Sequence, residues 1–203
     1  MSKPESYKTI STHGEGLYKE KGSKFIGLSF HVTSEEEVKV ELEKLRATYH
    51  DARHHCYAYV LGAERKDYRA NDDGEPNHSA GDPILGQINS KALTDVLVVV
   101  IRYFWGTKLG VSGLINAYKL AAEEALNNSK IITVAITERL ELEYDYDATS
   151  EVMRLIDDYN IDIVDQQFAA SCSVVVDVKI GLIDQVKEKL QLLIDTGSSI
   201  TVK

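Results

Sequence analysis

Only two cysteines, Cys56 and Cys172, occur in 203 residues, far apart and outside any C-x-x-C pairing. This scarcity excludes a disulfide framework and a paired-cysteine metal or redox site, and it fits a reducing compartment. Proline is nearly as rare, with three residues, and 43% hydrophobic against 27% charged residues is the balance of a folded chain, not of a disordered one. No apolar run approaches the ~20 residues needed to cross a bilayer. The longest aliphatic stretch, residues 96–101, is bounded by Asp95 and Arg102 and reads as a buried strand. The polar start, Met1-Ser2-Lys3-Pro4-Glu5-Ser6, lacks the apolar core of a secretory signal, so a cytoplasmic protein without membrane contact is expected.

Excess positive charge is also missing. A net charge of −9 argues against a general grip on nucleic acid across the whole surface, and no DNA sequence specificity is expected. The charge is unevenly spread: residues 1–130 carry 17 Lys and Arg against 18 Asp and Glu, whereas residues 131–203 carry 6 against 14. The two parts of the chain differ electrostatically.

What is present is patterned. Alternating segments at Tyr7–Ile10, Leu17–Lys19 and Phe25–Phe30, with a turn at Lys21-Gly22-Ser23-Lys24, predict strands and a hairpin. Ser34 and Glu37 form a capping box ahead of Val38, Leu42, Leu45 and Tyr49, which recur at helical spacing. A strand is predicted over His54–Leu61, then a long polar loop from Gly62 to Pro83, a short helix over Pro83–Ile88, the aliphatic strand, and a glycine-punctuated loop from Trp105 to Gly113. A helix carrying Leu114, Tyr118, Ala121 and Ala125 follows. Beyond Asn127-Asn128-Ser129 the order becomes strand (139–146), helix (152–159), strand (161–168), strand (172–180), helix (183–193) and strand (199–202). That βαββαβ order is the ferredoxin-like arrangement. The chain is therefore read as α+β, with domains at residues 1–131 and 135–203.

Two groups of residues could carry chemistry. Arg102 to Gly113 joins a buried strand to a helix, and glycines with Arg102 and Lys108 suit an anion at the helix start. Gly106, Gly110 and Gly113 do not make G-x-G-x-x-G, because Lys108 stands where a glycine is needed, and no Walker A motif is present, so no cofactor is implied. A tight turn explains the glycines equally well. The second group is His54, His55, Cys56, Asp72, Asp73, Glu75 and His78. On a strand His54 and Cys56 share one face and His55 takes the other, so the three cannot bind one metal without a bulge, and no resident metal is expected. Lys19, Lys21 and Lys24 flank the first hairpin with Glu15 and Glu20, either as a solvated edge or as a polar rim beside the glycine loop. Cys172 reads as core.

Four strings in order, Glu15–Ile26, His54–Tyr59, Asn71–Pro76 and Arg102–Phe104 with Gly106–Val111, make the chain resemble the YigZ/IMPACT family. The resemblance implies a first domain like the second domain of ribosomal protein S5, and a second similar to the ferredoxin-like domains of translation elongation factor G. Eukaryotic members are linked to translational control, so it implies a process more than a reaction. Members usually read Gly-Gly-Thr-Lys where this chain has Trp105-Gly106-Thr107-Lys108, and Trp105 is a stacking surface for a base or a core indole.

The expected function is a non-enzymatic regulator of translation that binds RNA or a ribosome-associated protein through first-domain loops. Lys24, Arg102 and Lys108 would meet phosphate, Tyr57 or Trp105 would stack, and His55, Gly106, Thr107 and Gly110 complete the ligand-binding set. The alternative is a small-molecule enzyme, for phosphoryl transfer or metal-dependent hydrolysis, using the glycine loop with Asp72, Asp73 and Glu75.

Overall fold

A computed structural model describes residues 4–105, 107–168 and 172–203. Alternation in the first segment produces β1 (Ser6–Ile10), β2 (Gly14–Glu20) and β3 (Ser23–His31). The capping box works as its spacing predicts: Ser34 Oγ accepts from Glu37 N and starts α1 (Glu35–Thr48). Then come β4 (His54–Leu61), β5 (Asp67–Asn71), α2 (Gly81–Ser90), β6 (Val96–Tyr103) and α3 (Gly110–Asn127). β7 (Ile131–Ala135) pairs with β1 in a two-stranded sheet.

The other five strands of this part form one antiparallel sheet, ordered β2-β3-β6-β4-β5. Its central strand, β6, is aliphatic on both faces because both are covered. Val96, Val98 and Val100 pack with residues of α2 and α3, such as Ile84 and Tyr118. Leu97, Val99 and Ile101 pack with Val38, Leu42 and Leu45 of α1. α3 lies unusually close to the sheet: a Cβ on Gly27 would sit 2.2 Å from the Ala121 carbonyl oxygen, and one on Gly16 2.6 Å from Ala125 N.

β5 and β7 fall where the sequence pattern shows no strand. β5 is a polar edge strand, Asp67-Tyr68-Arg69-Ala70-Asn71, whose burial is too slight to leave an apolar signature. It shortens the expected polar loop of residues 62–83 at its centre.

The rest of the chain gives β8 (Thr137–Tyr144), α4 (Thr149–Asp158), β9 (Asp162–Phe168), β10 (Cys172–Lys179), α5 (Ile183–Asp195) and β11 (Ile200–Val202). The sheet order β11-β8-β10-β9 is antiparallel throughout, and a separate core forms around Val152, Val174, Val176, Val186 and Leu190. Together these elements are a split βαβ unit. The chain divides into a first unit of residues 7–134 and a second unit made of residues 4–6 with 135–203.

Two expectations follow. Each unit expressed alone should show a cooperative unfolding transition, and a non-cooperative melt of residues 7–134 would refute its autonomy. Gly27→Ala should lower stability by about 1–3 kcal/mol through overpacking against α3. Gly86→Ala, in an exposed helical position with open space around it, should raise stability by about 0.5–1 kcal/mol. Urea midpoints read by circular dichroism measure both, and equal shifts would contradict the packing described.

Candidate functional site

Residues opposite one another on paired strands share a face of the sheet. Arg102 lies opposite Phe25 of β3 and His54 of β4, so all three face α2 and α3. Tyr103 falls on the α1 face opposite Lys24, which is itself opposite Lys19. Two candidate surfaces thus lie at one end of the sheet, on opposite faces.

On the α2/α3 face Arg102 is only 5% exposed. Its Nη1 meets Glu75 Oε1 at 2.5 Å, and its guanidinium carbon sits 5.3 Å from the Phe25 ring and 5.0 Å from the Phe104 ring. Tyr118 Oη donates to the same Glu75 oxygen at 2.8 Å, and Cys56 Sγ contacts Tyr118 Oη at 3.3 Å and the Asp72 carbonyl at 3.0 Å. Burial pushes both the Cys56 thiol and the Tyr118 phenol up, so each keeps its proton at neutral pH and Cys56 is no nucleophile. His54 Nδ1 lies 2.8 Å from the carbonyl of Asp73, and a carbonyl only accepts, so Nδ1 carries a proton. His54, Gly74, Glu75, Arg102 and residues 108–111 line one cleft of about 510 Å³.

Arg102, expected to meet phosphate, borders the cleft but is buried and engaged by the Glu75 carboxylate. His55 and Tyr57, expected in the same ligand-binding set, do not line the cleft. Both sit on the α1 side of the sheet, 7% and 8% exposed. Burial also lowers the His55 pKa, which leaves that ring uncharged at neutral pH. His54, the neighbour facing the other way, lines the cleft instead. Strand alternation already separated His54 from His55, but only the register with Arg102 shows which of them meets Glu75. Tyr118 was assigned to the core, and its hydroxyl had no sequence signal.

The three acids of the polar loop do not converge. Asp72 serves the start of α2: its Oδ1 accepts from Ala80 N and Gly81 N at 2.9 and 2.8 Å, and its Oδ2 accepts from His78 N at 2.9 Å. Asp73 Oδ2 accepts from His55 N at 2.6 Å, and its Oδ1 lies 3.7 Å from Arg46 of α1. Glu75 is committed to Arg102. Among the described residues no three His, Cys, Asp or Glu side chains are spaced to hold a metal ion. The magnesium arrangement of the enzyme alternative is not formed.

On the α1 face Lys19, Lys24 and Tyr103 run across three adjacent strands. Trp105 stacks on Tyr103 with ring centroids 5.5 Å apart and planes within 10°, and it is 62% exposed. Residues 19–24 and Trp105 enclose a second hollow of about 480 Å³. Trp105 is thus an open aromatic surface, not a core indole. Thr107, Lys108 and Gly110 are exposed, and Gly106 lies outside the described residues.

A family profile described as the Impact N-terminal domain matches residues 21–126, a span that includes every residue lining the cleft. The IMPACT family member YvyE of Bacillus subtilis is 36% identical over 141 residues, covering 70% of this chain and 65% of that protein. YigZ of Escherichia coli is 40% identical over 108 residues, covering 52% and 53%. An IMPACT family member of Haemophilus influenzae is 31% identical over 175 residues, 84% of each chain. The chain thus matches about half to two thirds of the length of the first two relatives. A crystal structure described as a hypothetical protein superposes with a TM-score of 0.73 at 26% identity, covering 98% of this chain and 97% of that one.

Burial opposes ionisation of Asp72, but its bonds from the Gly81, His78 and Ala80 N–H groups outweigh that and hold its pKa below the ordinary 3.8. The folded state therefore gains stability above that value and loses it as pH falls through the lowered one. Asp72→Asn should cost about 1 kcal/mol at pH 7, because the amide oxygen keeps the Ala80 and Gly81 bonds while the NH2 cannot accept from His78 N. The gap to the parent should close as pH falls below about 3.8. Urea unfolding from pH 7 to pH 3 measures it, and a gap that widens on acidification would refute this role.

Proposed function

The chain belongs to the IMPACT family, and from that membership we propose that it regulates translation without catalysing a reaction, by binding single-stranded RNA through the α1 face of its first unit. One observation carries the reading: Lys19, Lys24 and Tyr103 form a row across three strands, and the exposed indole of Trp105 lies flat on Tyr103. Stacking on an aromatic plane with lysines alongside is how proteins hold unpaired bases and their phosphates. No described residue forms an ion pair with Lys19, Lys21 or Lys24, so their charge stays available.

The acidic second unit is unsuited to phosphate, and its role in this reading is to meet a ribosome-associated protein or act as a spacer. No described helix is long and apolar enough to cross a membrane. A cytoplasmic site of action is part of the proposal.

The test is binding of single-stranded oligonucleotides at several salt concentrations, followed by Trp105 fluorescence. Trp105→Ala should cost about 1–3 kcal/mol of affinity. Replacing Lys19, Lys21 and Lys24 with Ala should lower the slope of log K against log salt by roughly 0.7 for each phosphate no longer neutralised. Absence of binding by the parent at low salt would overturn the RNA reading and leave a ribosome-associated protein as the partner, to be sought by co-sedimentation with ribosomes.

A further inference from the structure

The α2/α3 cleft is built for a ligand that the RNA-binding face does not account for. Of the five α-helices among the described residues, α3 alone has no acidic side chain in its first turn, and Leu109 at its N-cap supplies no side-chain acceptor. Its leading N–H groups are left without a side-chain partner, at the positive end of an 18-residue helix. Lys108 and Arg53 line the same cleft, are exposed, and form no ion pair with a described residue. This end of the cleft suits an anion.

The floor has the opposite demand. Glu75 is 8% exposed and places Oε1 against Arg102 and Tyr118, while its Oε2 accepts no bond from a described residue and is not sealed from the cleft. With its Nδ1–H donated to the Asp73 carbonyl, the His54 ring offers Nε2, 3.9 Å from Glu75 Oε1, as a second acceptor. Acceptors of this kind bind hydroxyl or amino donors, and a bare anion would be repelled by Glu75. Phe104 and Val111 supply an apolar wall, and the volume of about 510 Å³ falls within the range of small-molecule sites.

We propose that this cleft binds a polyhydroxylated phosphomonoester, with its phosphate at the α3 N-terminus beside Lys108 and Arg53, one hydroxyl donating to Glu75 Oε2 and a second to His54 Nε2. The site lies on the opposite face of the sheet from Lys19, Lys24 and Trp105 and does not depend on RNA binding there.

The experiment is ¹⁵N NMR titration of the full chain with glycerol 3-phosphate, ribose 5-phosphate, inorganic phosphate and free ribose. Both esters should shift the residue 110–113 amides and the His54 ring nitrogens saturably at millimolar concentration. Inorganic phosphate should bind about tenfold more weakly, and ribose should produce no saturable shift. Lys108→Ala should weaken both esters about tenfold. His54→Asn keeps a donor for the Asp73 carbonyl while removing Nε2, so it should reduce the esters toward the affinity of inorganic phosphate and leave inorganic phosphate itself unchanged. Saturation by neither ester, equal affinity for ester and inorganic phosphate, or shifts confined to residues 19–24 and the Trp105 indole would each overturn the proposal. Replacing Lys21 and Lys24 with Ala should weaken RNA binding and spare ester binding, so either reading can fail without the other.

Discussion

A guanidinium on the central strand of a sheet covered on both faces must be neutralised where it lies. Arg102 is the only charged residue of β6, and it is 5% exposed between two aromatic rings. Glu75 supplies the counter-charge from a loop, and removing one member of such a buried pair costs about 3–5 kcal/mol because the other stays buried and unpaired. That penalty holds the loop against the sheet. Once Glu75 is placed, Asp73 reaches the backbone of β4 and Asp72 reaches the start of α2. The walls of the cleft are consequences of one ion pair.

Much of this architecture is legible in the sequence because periodicity and burial coincide. The aliphatic run of residues 96–101 and the helical spacing of Leu114, Tyr118, Ala121 and Ala125 each announce their element. β5 is not legible, because an edge strand of Asp, Tyr, Arg, Ala and Asn has no apolar face to alternate. The site was half legible. The segments that meet in the cleft stand out as polar and glycine-bearing, but which side chain of each segment enters depends on register. Arg102 and Lys108 look equivalent as cations in the sequence. A separation of six residues puts one in the core and the other in solvent.

Acidic residues that look like a metal site are here a framework. Asp73, Gly74 and His78 adopt left-handed backbone angles, with φ of 43°, 85° and 65°, so the loop doubles back tightly enough for its carboxylates to point apart. Each then binds backbone or guanidinium donors at a different edge of the loop. A loop tied at three points is rigid, which means that the cleft it borders is preorganised and little ordering entropy opposes a ligand there.

Net charge conceals how this chain presents itself to a phosphate. In the first unit Glu75 is paired with Arg102, while Asp72 and Asp73 accept backbone N–H groups and Asp51 accepts the Tyr103 hydroxyl at 2.7 Å, bonds that leave the carboxylate charge in place. The lysines of the hairpin, Lys108 and Arg53 remain unpaired among the described residues. In the second unit the bases are the ones consumed, Arg139 by Asp177, Lys187 by Glu138 and Lys203 by Glu143. Each ion pair removes one charge of either sign, so the near balance of residues 1–130, 17 bases against 18 acids, and the acid excess of residues 131–203, 6 against 14, persist after pairing. A total charge of −9 thus hides a nearly neutral first part, residues 1–130, joined to an acidic second part.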